Sequence, residues 1–529
     1  MLFNRLALII LCASSLFADE QAYWVFFDAE QSQTPAIITN RAKARLALRG
    51  SHSRDGDLAV SQDHLNQLRQ AGFKIRRVSR FLNAVSIDVD DVASLPQLED
   101  LSFVRSITPV KLRRVDMKDH SNGSDVLARS SDQDYGASFT QNQMLGIPVL
   151  HNYGYDATGV LIGVFDTGFS TEHSVFNNMD ITNQYDFIDH ETDASGPGHS
   201  HGINVLSVLG GYAPGELIGP AYGASFLLAR TEDTRSESRS EEDNWVAAME
   251  WADSLGVDII STSLNYFKEF DNPAEDYPAS ALDGQTTIIA RAANIAAERG
   301  ILVVNSAGNE GPSVSSIWPP SDSPHVLSVG ATGSSGDINS FSGRGPTYDG
   351  RIKPDVVTLG SSVVMASGLG GFTTNSGTSY SAPQIAGLAA LLLQAHPSLA
   401  PDSIISLFHD YGNQNNSPDN TLGYGRPDLT SLFKDITSST TKTALVYPNP
   451  SQALDLTMVL GDPVTANVQS CTLINLQGRQ IAELSTSAIS ANTLEVKLIN
   501  LPALANQLFI IRVMANDQMY IGKFVYLRP

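Results

Sequence analysis

The chain has 529 residues, 42% of them hydrophobic and 17% charged, with a formal net charge of −22. That length is too great for one ordinary core and implies two to four domains, and the composition is that of a globular chain rather than a disordered one. The negative charge disfavours nucleic acid and anionic membrane as partners.

The first residues, MLFNRLALIILCASSLFADEQ, place Arg5 before an apolar run over 6–17. That run is too short to span a bilayer and reads as a secretory signal over 1–18, cleaved after Ala18. No other segment is long and apolar enough to cross a membrane. Cys12 leaves with the signal, so Cys471 is then alone and the mature chain has no internal disulfide. Such an exported protein depends on core size or bound ions for stability.

From 22 the pattern is strand (AYWVFF, 22–27), helix (SQDHLNQLRQ, 61–70), two paired strands (73–81 and 83–90), short helix (91–100) and strand (103–112). The order βαββαβ is a ferredoxin-like split pattern. Residues 111–135 are polar and irregular and read as a cleavable linker closing a unit over 19–135. Strands and helices then alternate over 136–434: strands at 159–168, 224–230, 257–264, 301–309 and 325–332, helices at 201–211, 241–256 and 288–300. Alternation of this kind predicts a mainly parallel sheet with helices on both faces, whose ligands sit at the carboxyl ends of the strands. A small polar linker (435–443) leads to a tail (444–529) of alternating short segments, an all-β sandwich pattern.

Hydrolysis of a peptide bond needs a nucleophile, a base, a group that orients the base, and donors for the developing oxyanion. Asp166 ends a buried strand, where an acid can fix an imidazole or merely form a turn. His201 opens an apolar helix beside Gly202, with His199 as its competitor. Ser379, in NSGTSYSAP, precedes a long apolar helix; its N–H lies at the positive helix end, although a lone serine there is often only a cap. Pro383 fits a first helical turn, where an N–H has no partner. Asn309 ends another strand and can donate to an oxyanion or simply turn the chain.

Taken together and in this order, VFDTGF, SHGINV, SAGNEG and GTSYSAP resemble the triad and oxyanion motifs of subtilisin-like serine proteases, the subtilases. The likeness covers roughly 155–430 and extends to MEWADSLGVDIISTSL, FSGRGP, KPDV and GYGRPDL. It implies an α/β, subtilisin-like parallel sheet and assigns roles: Ser379 as nucleophile, His201 as base, Asp166 as its orienter, Asn309 with the Ser379 N–H as oxyanion hole. It also implies that Ser263, Leu264 and Asn265 and then Ser306, Ala307 and Gly308 form walls that pair with extended substrate. Asn265 stands where the family commonly has glycine, and Asn204 where many members have histidine.

The loop LGGYAPGELIGPAYG lacks the Asn/Asp-rich calcium loop of the best-known subtilases, so the chemistry requires no cofactor and structural calcium stays open. The acidic run TEDTRSESRSEEDN (231–244) reads as a solvated loop near the cleft. The βαββαβ unit resembles a subtilase propeptide, a chaperone and inhibitor whose basic RRVSR and KLRR stretches suit docking on an acidic enzyme. YPNPS, INLQGRQ and KFVYL in the tail resemble the C-terminal sorting domain of type IX secretion cargo in Bacteroidetes. The expectation is a monomeric, secreted or outer-surface endopeptidase made as a zymogen. Its partners are protein or peptide substrates, its own propeptide and the type IX machinery. The alternative is an inactive subtilase-fold adhesin. A lipase or esterase would want G-x-S-x-G and the order Ser, Asp, His, and neither is present.

Overall fold

The computed structural model describes residues 21–28, 34–50, 57–89, 91–110, 134–196, 200–235, 238–268, 276–437, 441–447, 455–460, 468–475, 480–490, 493–498, 507–515 and 518–526. The signal, most of the 111–135 linker and His199 lie outside these residues.

The N-terminal unit runs β1 (Gln21–Phe27), α1 (Asn40–Arg49), α2 (Gln62–Gln70), β2 (Lys74–Ser79), β3 (Ala84–Val89), α3 (Pro96–Glu99) and β4 (Val104–Val110). Its sheet order, β2-β3-β1-β4, has every neighbouring pair antiparallel, as the βαββαβ reading requires. The addition is α1, in a stretch that reads as merely polar; Thr39 caps it by accepting from Ala42 N–H. Strand β1 is apolar on both faces because both are covered. Tyr23, Val25 and Phe27 join Leu65, Leu68 and Ile87 in the unit's own core. Trp24 and Phe26 turn the other way and pack with Trp245, Met249, Ile289 and Ala292 of the next unit.

After the short helices α4 (Phe139–Met144) and α5 (Ile147–Asn152), the chain builds the central sheet. Its elements are β5 (Leu161–Asp166), β6 (Asp180–Asp186), α6 (His201–Gly210), the small hairpin β7 (Tyr212–Ala213) and β8 (Leu217–Ile218), β9 (Ser225–Arg230), α7 (Ser240–Leu255), β10 (Ile259–Thr262), α8 (Ile288–Glu298), β11 (Leu302–Ser306), β12 (Val326–Thr332) and β13 (Val356–Leu359). The hairpin β14 (Val363–Ala366) and β15 (Phe372–Asn375) precedes α9 (Thr378–Ala395), α10 (Pro401–Asp410) and α11 (Thr430–Thr437). The seven strands run β13-β12-β11-β10-β5-β9-β6, all parallel. Period-two alternation sends Ile162 and Val164 of β5 to the core shared with α6 and α9. Leu161 and Phe165 go to the core shared with α7 and α8. The result is a parallel sheet covered on both faces.

The tail supplies β16 (Thr441–Thr443), β17 (Leu445–Tyr447), β18 (Asp455–Val459), β19 (Val468–Asn475), β20 (Gln480–Glu483), β21 (Ser485–Ser490), β22 (Thr493–Lys497), β23 (Gln507–Ala515) and β24 (Gln518–Tyr526). They form two sheets, β16-β24-β23-β19-β20 and β17-β18-β22-β21, closed over one apolar core that also buries the free Cys471.

The 231–244 run corrects its sequence reading as a solvated loop. Glu232, Glu241, Glu242 and Asp243 are buried, and the last three lie in the first turn of α7, where carboxylates favour the positive helix end. Glu232, Glu241 and Glu242 find donors within their own unit, from Tyr266, Asp233 N–H and Tyr277, whereas the N-terminal unit covers Asp243 and Asn244: Trp24 Nε1 donates to Asp243 Oδ1 (2.5 Å), Ser86 Oγ donates to its other oxygen, and Arg77 Nη2 donates to Asn244 Oδ1 (2.7 Å).

Further along α7, Ser79 Oγ donates to Glu250 Oε1 (2.5 Å), and Arg45 and Arg80 both reach the fully buried Asp253, which Arg299 Nε also contacts (3.0 Å). Arg41, Arg45 and Arg49 form one stripe of α1, spaced by four; Arg41 and Arg49 clamp Asp258. Arg41 Nε and Arg45 Nη1 also donate to the carbonyls of Gly256 (3.1 Å) and Val257 (2.8 Å), at the negative end of α7. The RRVSR segment therefore docks through Arg77 and Arg80, while KLRR lies outside the described residues.

Trp24→Ala would remove a fully enclosed indole and leave Asp243 short of a donor. A loss of roughly 3–5 kcal/mol in the unfolding free energy of the full-length chain is expected, checked by urea denaturation followed through far-UV circular dichroism.

Candidate active site

Three strands of the parallel sheet end at the site. β5 ends in Asp166, which is wholly buried. Its Oδ1 accepts from Thr167 N (2.7 Å), from Thr167 Oγ1 (3.1 Å) and from His201 Nδ1 (2.8 Å). His201 is the first residue of α6 and keeps 31% of its side chain exposed. The approach of α6 depends on Gly202, because a Cβ there would stand 2.2 Å from Gly168 O. Asn204 is buried one turn below. With its amide nitrogen turned toward Ser200 O (2.9 Å) and Ala366 O (2.8 Å), it ties α6 to β14. Its place is structural.

Ser379 is the second residue of α9 and 8% exposed. Its N–H belongs to the helix's first turn, which has no intrahelical acceptors. Pro383 departs from the sequence expectation: it is the sixth residue of α9, past the first turn. Lacking an N–H, it cannot serve the carbonyl four residues back, and Ser263 Oγ donates to that carbonyl, Ser379 O (3.0 Å), instead. The next residue, Tyr380, packs its ring against the His201 imidazole, with centroids 5.9 Å apart. Asn309 is exposed beyond β11. Its Oδ1 accepts from both Thr378 N and Thr378 Oγ1 (3.0 Å each), and Thr378 Oγ1 also donates to Gly308 O (3.1 Å). With its oxygen held by the start of α9, Asn309 has its amide nitrogen left to donate elsewhere.

The two expected walls are bridged by one asparagine that the sequence reading passed over. Asn305 Nδ2 donates to Leu264 O (3.0 Å), Ser306 O (3.0 Å) and Ser321 Oγ (2.9 Å). It sits inside the VVNSAGN strand, where an apolar residue is expected. Asn265 reaches across and donates to Ser306 Oγ (3.1 Å), so a polar bridge lies where glycine would leave open space. Ala307 is buried, and its N–H donates to Val329 O (2.9 Å). Gly308 holds a positive φ of 94°, and a Cβ there would meet the Glu310 carboxylate at 2.5 Å.

A second passed-over residue is Glu232, two positions past β9. Its buried carboxyl is pushed up to about 7, first by burial and further by the negative charge of Asp166, against the favourable pull of Tyr266, Thr231 and His201.

The structure thus brings Asp166, His201, the Ser379 turn and Asn309 to one edge, joined by direct contacts. The loop carrying the β7–β8 hairpin offers a single carboxylate, Glu216. Among the described residues no group of three or more His, Cys, Asp or Glu side chains is placed to hold a metal ion.

The subtilase family matches residues 157–425, half of the chain, and the chain belongs to that family of serine proteases. The Peptidase S8 propeptide domain of Bacteroidota matches residues 22–124, which identifies the N-terminal unit. Subtilisin E of Bacillus subtilis is 26% identical over 335 residues, 63% of this chain and 76% of its own. Serine protease AprX of the same organism is 31% identical over 283 residues, 47% of this chain and 60% of its own. The crystal structure of fervidolysin from Fervidobacterium pennivorans, a keratinolytic enzyme related to subtilisin, superposes with a TM-score of 0.57. That superposition covers 93% of this chain and 70% of the fervidolysin chain at 18% identity, a likeness of fold.

Ser263→Ala would leave the Ser379 carbonyl, already denied a helix donor by Pro383, without its partner. A stability loss of about 1–3 kcal/mol is expected, seen as a lower thermal midpoint.

Proposed function

We propose that the chain is a secreted serine endopeptidase made as a zymogen. The observation that carries this is the 2.8 Å bond from His201 Nδ1 to the buried Asp166, at the sheet edge where α9 presents Ser379. With Nδ1–H donating to Asp166, Nε2 is the nitrogen that acts as the base. In this reading His201 Nε2 takes the proton of Ser379 Oγ as that oxygen attacks the scissile carbonyl. The Ser379 N–H and Asn309 Nδ2 receive the oxyanion. The imidazolium returns its proton to the leaving amine, the C–N bond breaks, and a water then repeats the cycle on the acyl-enzyme. Extended substrate pairs with the walls at Ser263, Leu264 and Asn265 and at Ser306, Ala307 and Gly308. The Asn265 bridge narrows and polarises the primary pocket. No observation favours the inactive-adhesin reading.

The proposed organisation is a signal (1–18), a propeptide with its linker (19–135), a catalytic domain (136–434), a linker (435–443) and a β-sandwich (444–529) that serves as a type IX sorting domain. The enzyme acts as a monomer outside the cell or on its outer surface. Export is supported by the Bacteroidota propeptide family. Among the described residues no helix is long and apolar enough to cross a membrane.

The test compares the chain, expressed without its signal, with its Ser379→Ala variant by fluorophosphonate labelling and intact mass over time. Wild type is expected to label and shed its N-terminal unit, and the variant to do neither. A matured wild type that neither labels nor cleaves casein would sink the reading. Asn309→Ala should still label but turn over about 10²–10³ times more slowly, as loss of one oxyanion donor costs a subtilisin. Deleting 444–529 in a type IX-secreting host is expected to hold the labelled enzyme inside the cell envelope. Unchanged activity in the medium would refute the sorting role.

A further inference from the structure

A second buried carboxylate stands at the same sheet edge as Asp166. β9 lies beside β5 in parallel register, with Arg230 opposite Asp166, so the chain leaving β9 runs alongside the Asp166 turn. Thr231 N–H donates to Asp166 O (3.0 Å). The next residue, Glu232, is 7% exposed, and its Oε1 accepts from Tyr266 Oη (2.5 Å) and Thr231 Oγ1 (2.9 Å). Tyr266 is itself buried, directly follows the 263–265 wall, and is anchored by its N–H to Pro319 O (2.9 Å). One carboxylate therefore joins the turn that holds Asp166 to the strand that lines the substrate pocket. The ionisable groups around it are Asp166 on β5, His201 on α6, Tyr266 after β10, Asp233 with its partner Arg235 in the following turn, and Glu241 of α7, which receives Asp233 N–H (2.9 Å).

We propose that Glu232 is a positioning residue for the hydrolysis. Its carboxylate stabilises the His201 imidazolium and so sets the pH at which His201 becomes a base, while its bonds to Tyr266 and Thr231 hold the pocket wall against the Asp166 turn. The inference rests on the serine-peptidase reading above. The sign follows from charge. An ionised Glu232 favours the protonated imidazole and moves the acid limb of kcat/KM to higher pH. Burial first, and then the charge of Asp166, push the Glu232 carboxyl itself upward. Its ionisation makes the imidazole harder to deprotonate as pH rises, so the limb belongs to the pair and is shallower than a single ionisation.

Glu232→Gln keeps an oxygen for Tyr266 and Thr231 but removes the charge. The matured full-length enzyme and this variant would be compared by kcat/KM on a chromogenic peptide from pH 5 to 10, with active sites counted by fluorophosphonate. The half-rise of the acid limb is expected to fall by about 0.3–1 pH unit and to steepen to one ionisation, with the plateau within about threefold of wild type. Glu232→Asp should keep the wild-type limb. If Glu232→Gln yields no titratable sites, Tyr266→Phe serves instead, because loss of the hydroxyl donor disfavours ionised Glu232 and moves the limb the same way. A fully titrating variant whose limb superposes on wild type overturns the inference and leaves the peptidase standing. A wild type that does not label fails the peptidase reading itself.

Discussion

Asp166 sits at the tip of an interior strand of the parallel sheet with no access to water, and an anion there is stable only where donors converge on it. The Thr167 backbone supplies one donor and His201 another. That requirement explains why α6 must begin where it does, why its second residue is glycine, and why Asn204 locks the helix to β14. The imidazole is held by its bond to the buried acid on one side and by the Tyr380 ring on the other. The start of α9 is fixed in turn by Asn309 and Ser263, two side chains from different strand ends. Asp166, Ser263 and Asn309 take their places from the ends of strands, and the two helices are held against them.

The contact between propeptide and enzyme has a different physical character. It has an aromatic part, with Trp24 and Phe26 against α7 and α8, and a part made of arginine–carboxylate pairs, of which Arg45–Asp253 is fully enclosed. Burial pushes the Asp243 and Glu250 carboxyls upward, and the donors from the propeptide pull in the opposite direction. A buried pair of this kind adds little against a hydrophobic substitute, yet removing one partner strands the other. Geometry is therefore the main thing these pairs provide. The α1 arginines fit carbonyls and acids gathered around the end of α7, those of Gly256, Val257 and Asp258 with Gly159 and Arg299 beside them, so they specify how the propeptide sits.

Much of this was legible in the sequence. The core strands are short runs rich in Val, Ile and Leu that mostly end at polar residues, and the residues that meet at the site come from segments whose motifs are each recognisable. What stayed hidden depends on partners far along the chain. In NRAKARLALR the arginines have a clear spacing, but their acceptors lie more than 200 residues away. The polar edge strand DITNQYD carries no alternation that marks it. The run 231–244 looks solvated because the groups that bury it, Tyr266 and Tyr277 in its own unit and Trp24, Arg77 and Ser86 in the N-terminal one, come from distant segments. Pro383 reads as a first-turn proline until the helix start is placed at Thr378. Asn305 and Glu232 are single polar residues among apolar or acidic neighbours, and nothing local shows that they knit two walls together.

The carboxylates under the propeptide have one more effect. If the propeptide is shed as proposed, Asp243, Glu250 and Asp258 lose the indole, hydroxyl and guanidinium groups that faced them, and Asp253 keeps Arg299 alone of its three arginines. The uncovered face of α7 and the turn after it then meet water with added negative charge on a chain that is already strongly acidic. Two mature copies would repel each other across that face. For a protease, such repulsion would lower the rate at which one mature copy meets another as a substrate.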